Sequence, residues 1–359
     1  MNFATLTLIM GMFLTSNAIA NSNSEGDELT KSKLDKNGKY INPVPTNLGD
    51  PKDMIKMFLK TIKGGHKDRV PPMPLPITYA DEALKMPPSD SLRFTWLGHS
   101  MIVLEIEGKR FIFDPMFSQR ASPFEFAGPK RFHPVPLDLE NLPHFDAVIL
   151  THDHYDHFDK KAVRMINDGE TKFYAPLGIK EKLLDWGVAD SNAFELDWWD
   201  EIVHDGITLA ATPARHFSGR SMFNMNHLLW CSWVVIGETH RIYFSGDSGI
   251  MPVFKDIGDK FGPFDLTFLE NGAYDELWHD VHMIPPEHID AQAMLGGKIM
   301  VPIHYGTFNL AYHAWYEPPE WLAKEAEKSG MKLLTPRIGE TVDPWAHVNE
   351  YWWRELIGD

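Results

Sequence analysis

Three short runs rich in branched and aromatic residues follow one another closely: Leu92-Arg93-Phe94-Thr95-Trp96-Leu97, Met101-Ile102-Val103-Leu104-Glu105-Ile106 and Arg110-Phe111-Ile112-Phe113. They are joined at Gly98-His99 and at Glu107-Gly108-Lys109. Side chains on a strand alternate with period two, and breaks this short close hairpins, so the pattern predicts three antiparallel strands. Further on the apolar period lengthens and shortens by turns. It predicts helices over 159–167, 178–186, 287–295 and 318–329, and strands over 172–175, 207–212, 231–236, 241–245, 265–269 and 299–303. Early hairpins followed by mixed units imply an α/β architecture of two facing mixed sheets with helices outside, rather than one doubly wound sheet.

The first 90 residues read differently. An apolar run from Phe3 to Leu14, followed by small residues ending Ala18-Ile19-Ala20, resembles a secretory signal over residues 1–20 and implies an exported, periplasmic or extracellular protein. Residues 21–39 are rich in Asn, Ser, Lys and Asp and predict a mobile linker within an N-terminal extension, 21–90. In that extension Asp50-Pro51 supplies an N-cap and a first-turn proline for a short amphipathic helix over 52–62. The Pro71-Pro72-Met73-Pro74-Leu75-Pro76 stretch must be extended, because each proline pushes its predecessor out of the helical region. The main domain then occupies 91–359.

Length and composition narrow the class. A chain of 359 residues can bury a sizeable core, and its formal net charge of -16 argues against nucleic acid and against any broad clamp on an anionic surface. A lipid-like substrate would be gripped by apolar contacts, with peripheral membrane contact through the Met- and Phe-bearing helix at 52–62; a homodimer is compatible with this reading. The single cysteine, Cys231, rules out an internal disulfide, and its strand-like setting predicts a buried inert thiol.

The chemistry is concentrated after the apolar run Asp146-Ala147-Val148-Ile149-Leu150. There His152, His154, Asp156 and His157 place four metal-binding side chains within six positions. Imidazole and carboxylate together suit zinc, with iron and manganese also accommodated. Three later strands each end on a metal-competent residue, namely His216, Asp247 and His304. Each alone reads as a structural histidine or a turn. Together they complete two sites: His152, His154 and His216 for one ion, Asp156, His157 and His304 for the other, with Asp247 bridging. Paired ions roughly 3.5–4 Å apart activate a water and clamp both oxygens of a displacement, so no serine or cysteine nucleophile is required. Asp114 is either a plain turn residue before Pro115 or the acceptor that orients a ligand histidine.

These residues resemble the His-x-His-x-Asp-His signature of the metallo-β-lactamase superfamily, whose fold is an αββα sandwich. Within it the chain is similar to the group of phospholipases D that hydrolyse N-acylphosphatidylethanolamine. The shared phrases include Trp96-Leu97-Gly98-His99, Asp114-Pro115-Met116-Phe117-Ser118, Gly128-Pro129-Lys130-Arg131-Phe132, Glu195-Leu196-Asp197-Trp198-Trp199 and Ile303-His304-Tyr305-Gly306-Thr307-Phe308. The resemblance implies two zinc ions and a phospholipid phosphodiester as substrate, with Asp156 and His282 as catalytic residues. On sequence alone His282 is a surface loop residue. Glu270-Asn271 stand where that group usually has Pro-Ile, and a carboxylate there is expected to repel an anionic phosphodiester or to select a different leaving group. The alternatives are acyl hydrolysis of the lactonase or β-lactamase kind on the same site, and a lipid-binding member of the fold without turnover.

Overall fold

The computed structural model describes residues 29–48, 56, 59–60, 64–221 and 223–357. The expected signal segment and most of the helix at 52–62 therefore lie outside the described residues. The strands run β1 (Lys33–Leu34), β2 (Tyr40–Ile41), β3 (Leu92–Trp96), β4 (Ile102–Ile106), β5 (Lys109–Phe113), β6 (Ala147–Ile149), β7 (Lys172–Pro176) and β8 (Ala193–Leu196). They continue as β9 (Glu201–His204), β10 (Ile207–Thr212), β11 (Ser232–Ile236), β12 (Arg241–Phe244), β13 (Phe264–Glu270), β14 (Gly297–Ile303) and β15 (Thr341–Val342). One sheet has the order β15-β3-β4-β5-β6-β7-β8 and the other β14-β13-β12-β11-β10-β9. Both are mixed. The first is antiparallel from β15 through β5 and parallel from β5 to β8; the second is parallel over β12, β13 and β14.

The two-residue period explains the layering. In the register Trp96, Ile102, Phe113 and Ile149 lie abreast, and all four join the core between the sheets with Trp233, Phe244 and Phe268. Aromatic rings meet across the gap: Phe113 stacks on Phe244 at 4.6 Å, and Phe94 meets Phe268 edge-on at 5.1 Å. The alternate row, Val103, Ile112, Val148 and Phe173, faces the other way and packs on Ala162, Val163 and Ile166 of helix Lys160–Ile166. That helix is capped by the Asp159 side chain accepting from Lys161 N.

Of the features that depart from the sequence reading, three are instructive. The segment expected to be a mobile linker forms, from residue 33, a small hairpin turned by Asp35, which accepts from the backbone of Asn37 and Lys39. Ser32 N reaches Asp197 Oδ1 at 3.1 Å, Lys31 pairs with Asp200, and Tyr40 N donates to Asn226 O, so polar contacts hold a segment that has little to bury. Strand β9 was not expected, since its Glu201-Ile202-Val203-His204 lies at a sheet edge with little apolar demand. Helix Val253–Phe261 was missed because Gly258 interrupts it. The glycine has a packing reason: a Cβ there would stand 2.2 Å from Met294 O of helix Glu287–Leu295, so only Gly allows the two helices to touch.

Candidate metal centre

The C-terminal ends of β3, β5, β6, β10, β12 and β14 converge at one edge of the sandwich, and each delivers a polar side chain just past its last strand residue. Loop geometry there is tightly set. His99, Asp114 and His304 have φ of 54°, 41° and 65°, a left-handed conformation that non-glycine residues adopt at a cost and only where the surroundings enforce it. Three buried indoles also anchor the loops around the site. Trp96 Nε1 donates to His99 O at 2.8 Å, Trp230 Nε1 to Ala214 O at 2.9 Å and Trp233 Nε1 to Leu150 O at 2.9 Å. Each of these carbonyls belongs to a loop that carries a site histidine or lies within two residues of one.

The seven residues singled out as ligands come together. His152, His154, His216 and Asp247 form one buried group; Asp156, His157 and His304, with His99, form a second. Asp247 Oδ2 stands between them, 3.8 Å from His152 Nε2, 3.6 Å from His216 Nε2, 3.2 Å from His157 Nε2 and 3.1 Å from His304 Nε2. Asp156 Oδ2 is 3.5 Å from both His157 Nε2 and His304 Nε2. His154 turns its Nδ1 toward the group, 2.9 Å from His152 Nε2 and 3.3 Å from His216 Nε2.

The donor set fits metal ions. His157 Nε2, His304 Nε2 and Asp247 Oδ1 are buried without a hydrogen-bond partner among the described residues, although oxygen and nitrogen approach within 3.2 Å. The groups that carry them converge on shared space. Leaving such groups unpaired is costly, and a cation in that space removes the cost. The outer nitrogens of His157 and His216 are held as ligand imidazoles require. Asp114 Oδ2 accepts from His157 Nδ1 at 2.8 Å and from Thr151 Oγ1, while Asp114 Oδ1 accepts from Thr151 N, and His216 Nδ1 is 3.2 Å from Val281 O. Of the two readings of Asp114, its contacts fit the orienting acceptor.

Electrostatics polarise the two halves. Burial, with the neighbouring imidazoles, drives His152 well below the ordinary histidine range, and burial likewise lowers His154 and His216. In the other half burial also pulls downward, but Asp247 and Asp156 outweigh it, so His157 is raised well above that range and His304 rises to about 9. Burial pushes Asp247 and Asp156 up, yet the adjacent imidazoles hold both carboxylates well below their usual range.

Several contacts were not visible in the sequence. His99, expected only as a turn residue, places Nε2 3.0 Å from Asp156 Oδ2 and its ring 4.2 Å from that of His304; burial pushes it down to about 3. Asn42 of the N-terminal segment brackets a ligand backbone, accepting from His216 N at 2.9 Å and donating to His216 O at 2.7 Å. His282 is not on the surface: it is buried, its ring 5.1 Å from that of His216 and 5.3 Å from that of His304. Glu270, expected to face the substrate, is fully buried and turned toward His282 and Met283. Cys231 is buried, and burial raises its thiol well above the ordinary range, leaving it inert at neutral pH. Beside His304 opens a pocket lined by Phe132, Phe308, Leu310 and Trp315, with Arg69, Asn309 and His313 among its polar members.

A family model described as a beta-lactamase superfamily domain matches residues 109–305. The chain is 38% identical over 325 residues to the uncharacterized protein Rv0906 of Mycobacterium tuberculosis, covering 89% of this chain and 87% of that one. It is 39% identical over 243 residues to N-acyl-phosphatidylethanolamine-hydrolyzing phospholipase D 1 of Caenorhabditis elegans, covering 64% of this chain and 68% of that one. Among solved structures the isothiocyanate hydrolase from Delia radicum gut bacteria shares the fold, with a TM-score of 0.58 and 24% identity over 70% of this chain and 98% of the other.

Proposed function

The chain belongs to the β-lactamase superfamily and is a metal-dependent hydrolase, and from that premise we propose that it is a phosphodiesterase of phospholipase D type, acting on N-acylphosphatidylethanolamine or a similar lipid. The carrying observation is the shared carboxylate: Asp247 Oδ2 lies within 3.1 to 3.8 Å of imidazole nitrogens from both ligand groups, as a bridge between two ions would. The likeness to the Caenorhabditis elegans phospholipase supports the substrate class.

In this reading His152, His154 and His216 would hold one zinc ion and Asp156, His157 and His304 the other. Bound zinc supplies an activated water and neutralises charge that builds on the phosphoryl oxygens. The remaining work belongs to the protein. Asp114 keeps His157 in the tautomer with a free Nε2. His99 steadies Asp156 through its Nε2 contact. His282, at the edge of the centre, donates a proton to the departing alcohol.

The decisive experiment is product analysis by mass spectrometry after the zinc-loaded protein meets N-acylphosphatidylethanolamine in detergent. Phosphatidic acid and N-acylethanolamine are the expected products. Their absence with zinc bound would overturn the phospholipase reading, and turnover of lactones instead would favour acyl hydrolysis.

Zinc uptake provides a pH test whose sign is fixed by the ligands. Without metal the carboxylates of Asp247 and Asp156 raise His157 well above the ordinary histidine range and His304 to about 9, so both hold a proton at neutral pH that they must lose to coordinate. Asp156 and Asp247 are already ionised and release nothing. Zinc affinity should therefore rise with pH through the neutral range and beyond. Calorimetry at pH 7.5 in buffers of different ionisation enthalpy should show net proton release that falls in His304→Ala. Uptake with no proton release would exclude His304 as a ligand.

A further inference from the structure

The apolar strand β13 ends on a carboxylate that solvent does not reach: Glu270 is 0% exposed. A carboxylate taken out of water needs partners, and among the described residues no Lys or Arg pairs with Glu270. Its partners are instead the two halves of one neighbouring segment. Oε1 accepts from Met283 N at 2.6 Å, and Oε2 lies 3.3 Å from His282 Nδ1. The direction of the carboxylate is set by its own backbone, since Glu270 N is 2.9 Å from Ser245 Oγ and Glu270 O takes His288 Nε2 at 2.6 Å. Engagement of Nδ1 leaves Nε2, on the far side of the ring, as the His282 nitrogen available to substrate. The side chain keeps 10% of its surface exposed, and one of its nitrogens lies within 4.8 Å of ligand atoms of both Asp247 and His304.

We propose that Glu270 is a positioning residue for proton delivery: by accepting hydrogen bonds from the Nδ1–H of His282 and the N–H of Met283 together, it holds the ring with Nε2–H toward the bond being cleaved. The arrangement suits substrates whose leaving oxygen is a poor leaving group, an alkoxide such as that of an ethanolamide. The choice of alcohol rests on the phosphodiesterase reading above; the orientation of His282 does not. In the step, a water oxygen bonds to phosphorus and the bond from phosphorus to the alcohol oxygen breaks, its electron pair staying on that oxygen. The Nε2 proton completes the alcohol, and the proton that water gives up returns to Nε2, so nothing is left over. The carboxylate is thus not a repulsive group facing the phosphodiester, because it is spent on the histidine.

The variant Glu270→Gln separates positioning from simple packing. An amide has one acceptor where the carboxylate has two, so it cannot accept from Met283 N and from Nδ1–H at their present places. With zinc-loaded protein, kcat on N-acylphosphatidylethanolamine should fall on the order of 10²-fold with KM within about twofold. Zinc content should stay unchanged. On bis(p-nitrophenyl) phosphate, whose leaving group needs no proton, kcat should change by less than about threefold. In a His282→Ala background Glu270→Gln should add nothing further. Nitrogen-15 spectra of the imidazoles, with His282 assigned by its loss in His282→Ala, should show a proton on Nδ1 in the unaltered protein and its absence in Glu270→Gln. A second variant, Glu270→Ala, should behave likewise if the first does not fold.

Equal losses on both phosphodiesters, loss of zinc, or additive losses with His282→Ala would overturn the proposal and make Glu270 structural. Should the unaltered protein not cleave the lipid at all, the phospholipase reading falls while the spectra still decide: an Nδ1 proton unaffected by Glu270→Gln would overturn the positioning role, and its loss would support it.

Discussion

Asp247→Asn is expected to abolish turnover and to deplete bound metal more severely than any other single change in the centre. The carboxylate oxygen reaches imidazoles of both ligand groups, whereas Asp156 Oδ2 reaches only His99, His157 and His304. An amide of the same shape keeps the volume but loses the charge that both ions would share. The fall should exceed the 10²–10³-fold cost, roughly, of deleting a single electrostatic donor from an active site. Asp156→Asn should also silence the enzyme yet leave the His152, His154 and His216 group able to take an ion. Metal analysis by mass spectrometry would show the contrast: close to no tightly held zinc in Asp247→Asn, about one ion per chain in Asp156→Asn. Full zinc occupancy in Asp247→Asn would sink the bridging assignment. A control at Asp114→Asn should weaken metal affinity by only about 10–100-fold, the usual cost of losing a group that orients a ligand.

What the sequence made legible follows from locality. His152, His154, Asp156 and His157 crowd one short loop, and His216, Asp247 and His304 each stand one to four residues past a strand whose apolar run is unmistakable. The strands themselves were readable because β3, β4 and β5 carry a two-residue period and bury both faces of a sheet. The contacts that escaped are those made over distance by residues with no motif of their own. Asn42 meets His216 from 174 positions away, and His99 meets Asp156 from 57. A side-chain amide in a polar segment and a histidine after a glycine look like ordinary loop residues until the sheets bring their partners in. Glu270 misled for another reason. Its place along the chain was correctly near the site, but strand alternation and the return of residues 281–283 decide which way its carboxylate points. Sequence carries the first fact and only the assembled fold carries the second.

The same dependence of site on core gives the second large effect, at Trp233. Its side chain is fully buried on β11, opposite Ala211 on one neighbour and Phe244 on the other, and it belongs to the core between the sheets. Truncation to Ala removes the largest kind of side chain from a close-packed layer and should cost about 3–5 kcal/mol. Against a typical folding stability of about 5–15 kcal/mol that is enough to bring part of the population to unfolding near body temperature. The indole has a second task, since its Nε1 donates to Leu150 O, two residues before His152. Trp233→Phe keeps much of the apolar bulk but leaves that buried carbonyl without its donor, a loss of about 1–3 kcal/mol. The two variants should therefore differ in kind. In urea titrations Trp233→Ala should show the larger loss of stability. In zinc titrations of the folded protein Trp233→Phe should show a loss of affinity, about 10-fold, with most of its stability retained, because the loop that presents His152 and His154 loses an anchor. Wild-type zinc affinity in Trp233→Phe would mean that the loop's other anchors, such as Thr151 with Asp114 and Cys231 N with Thr151 O, suffice to hold it, and a change of less than about 1 kcal/mol in Trp233→Ala would mean that the layer around it repacks.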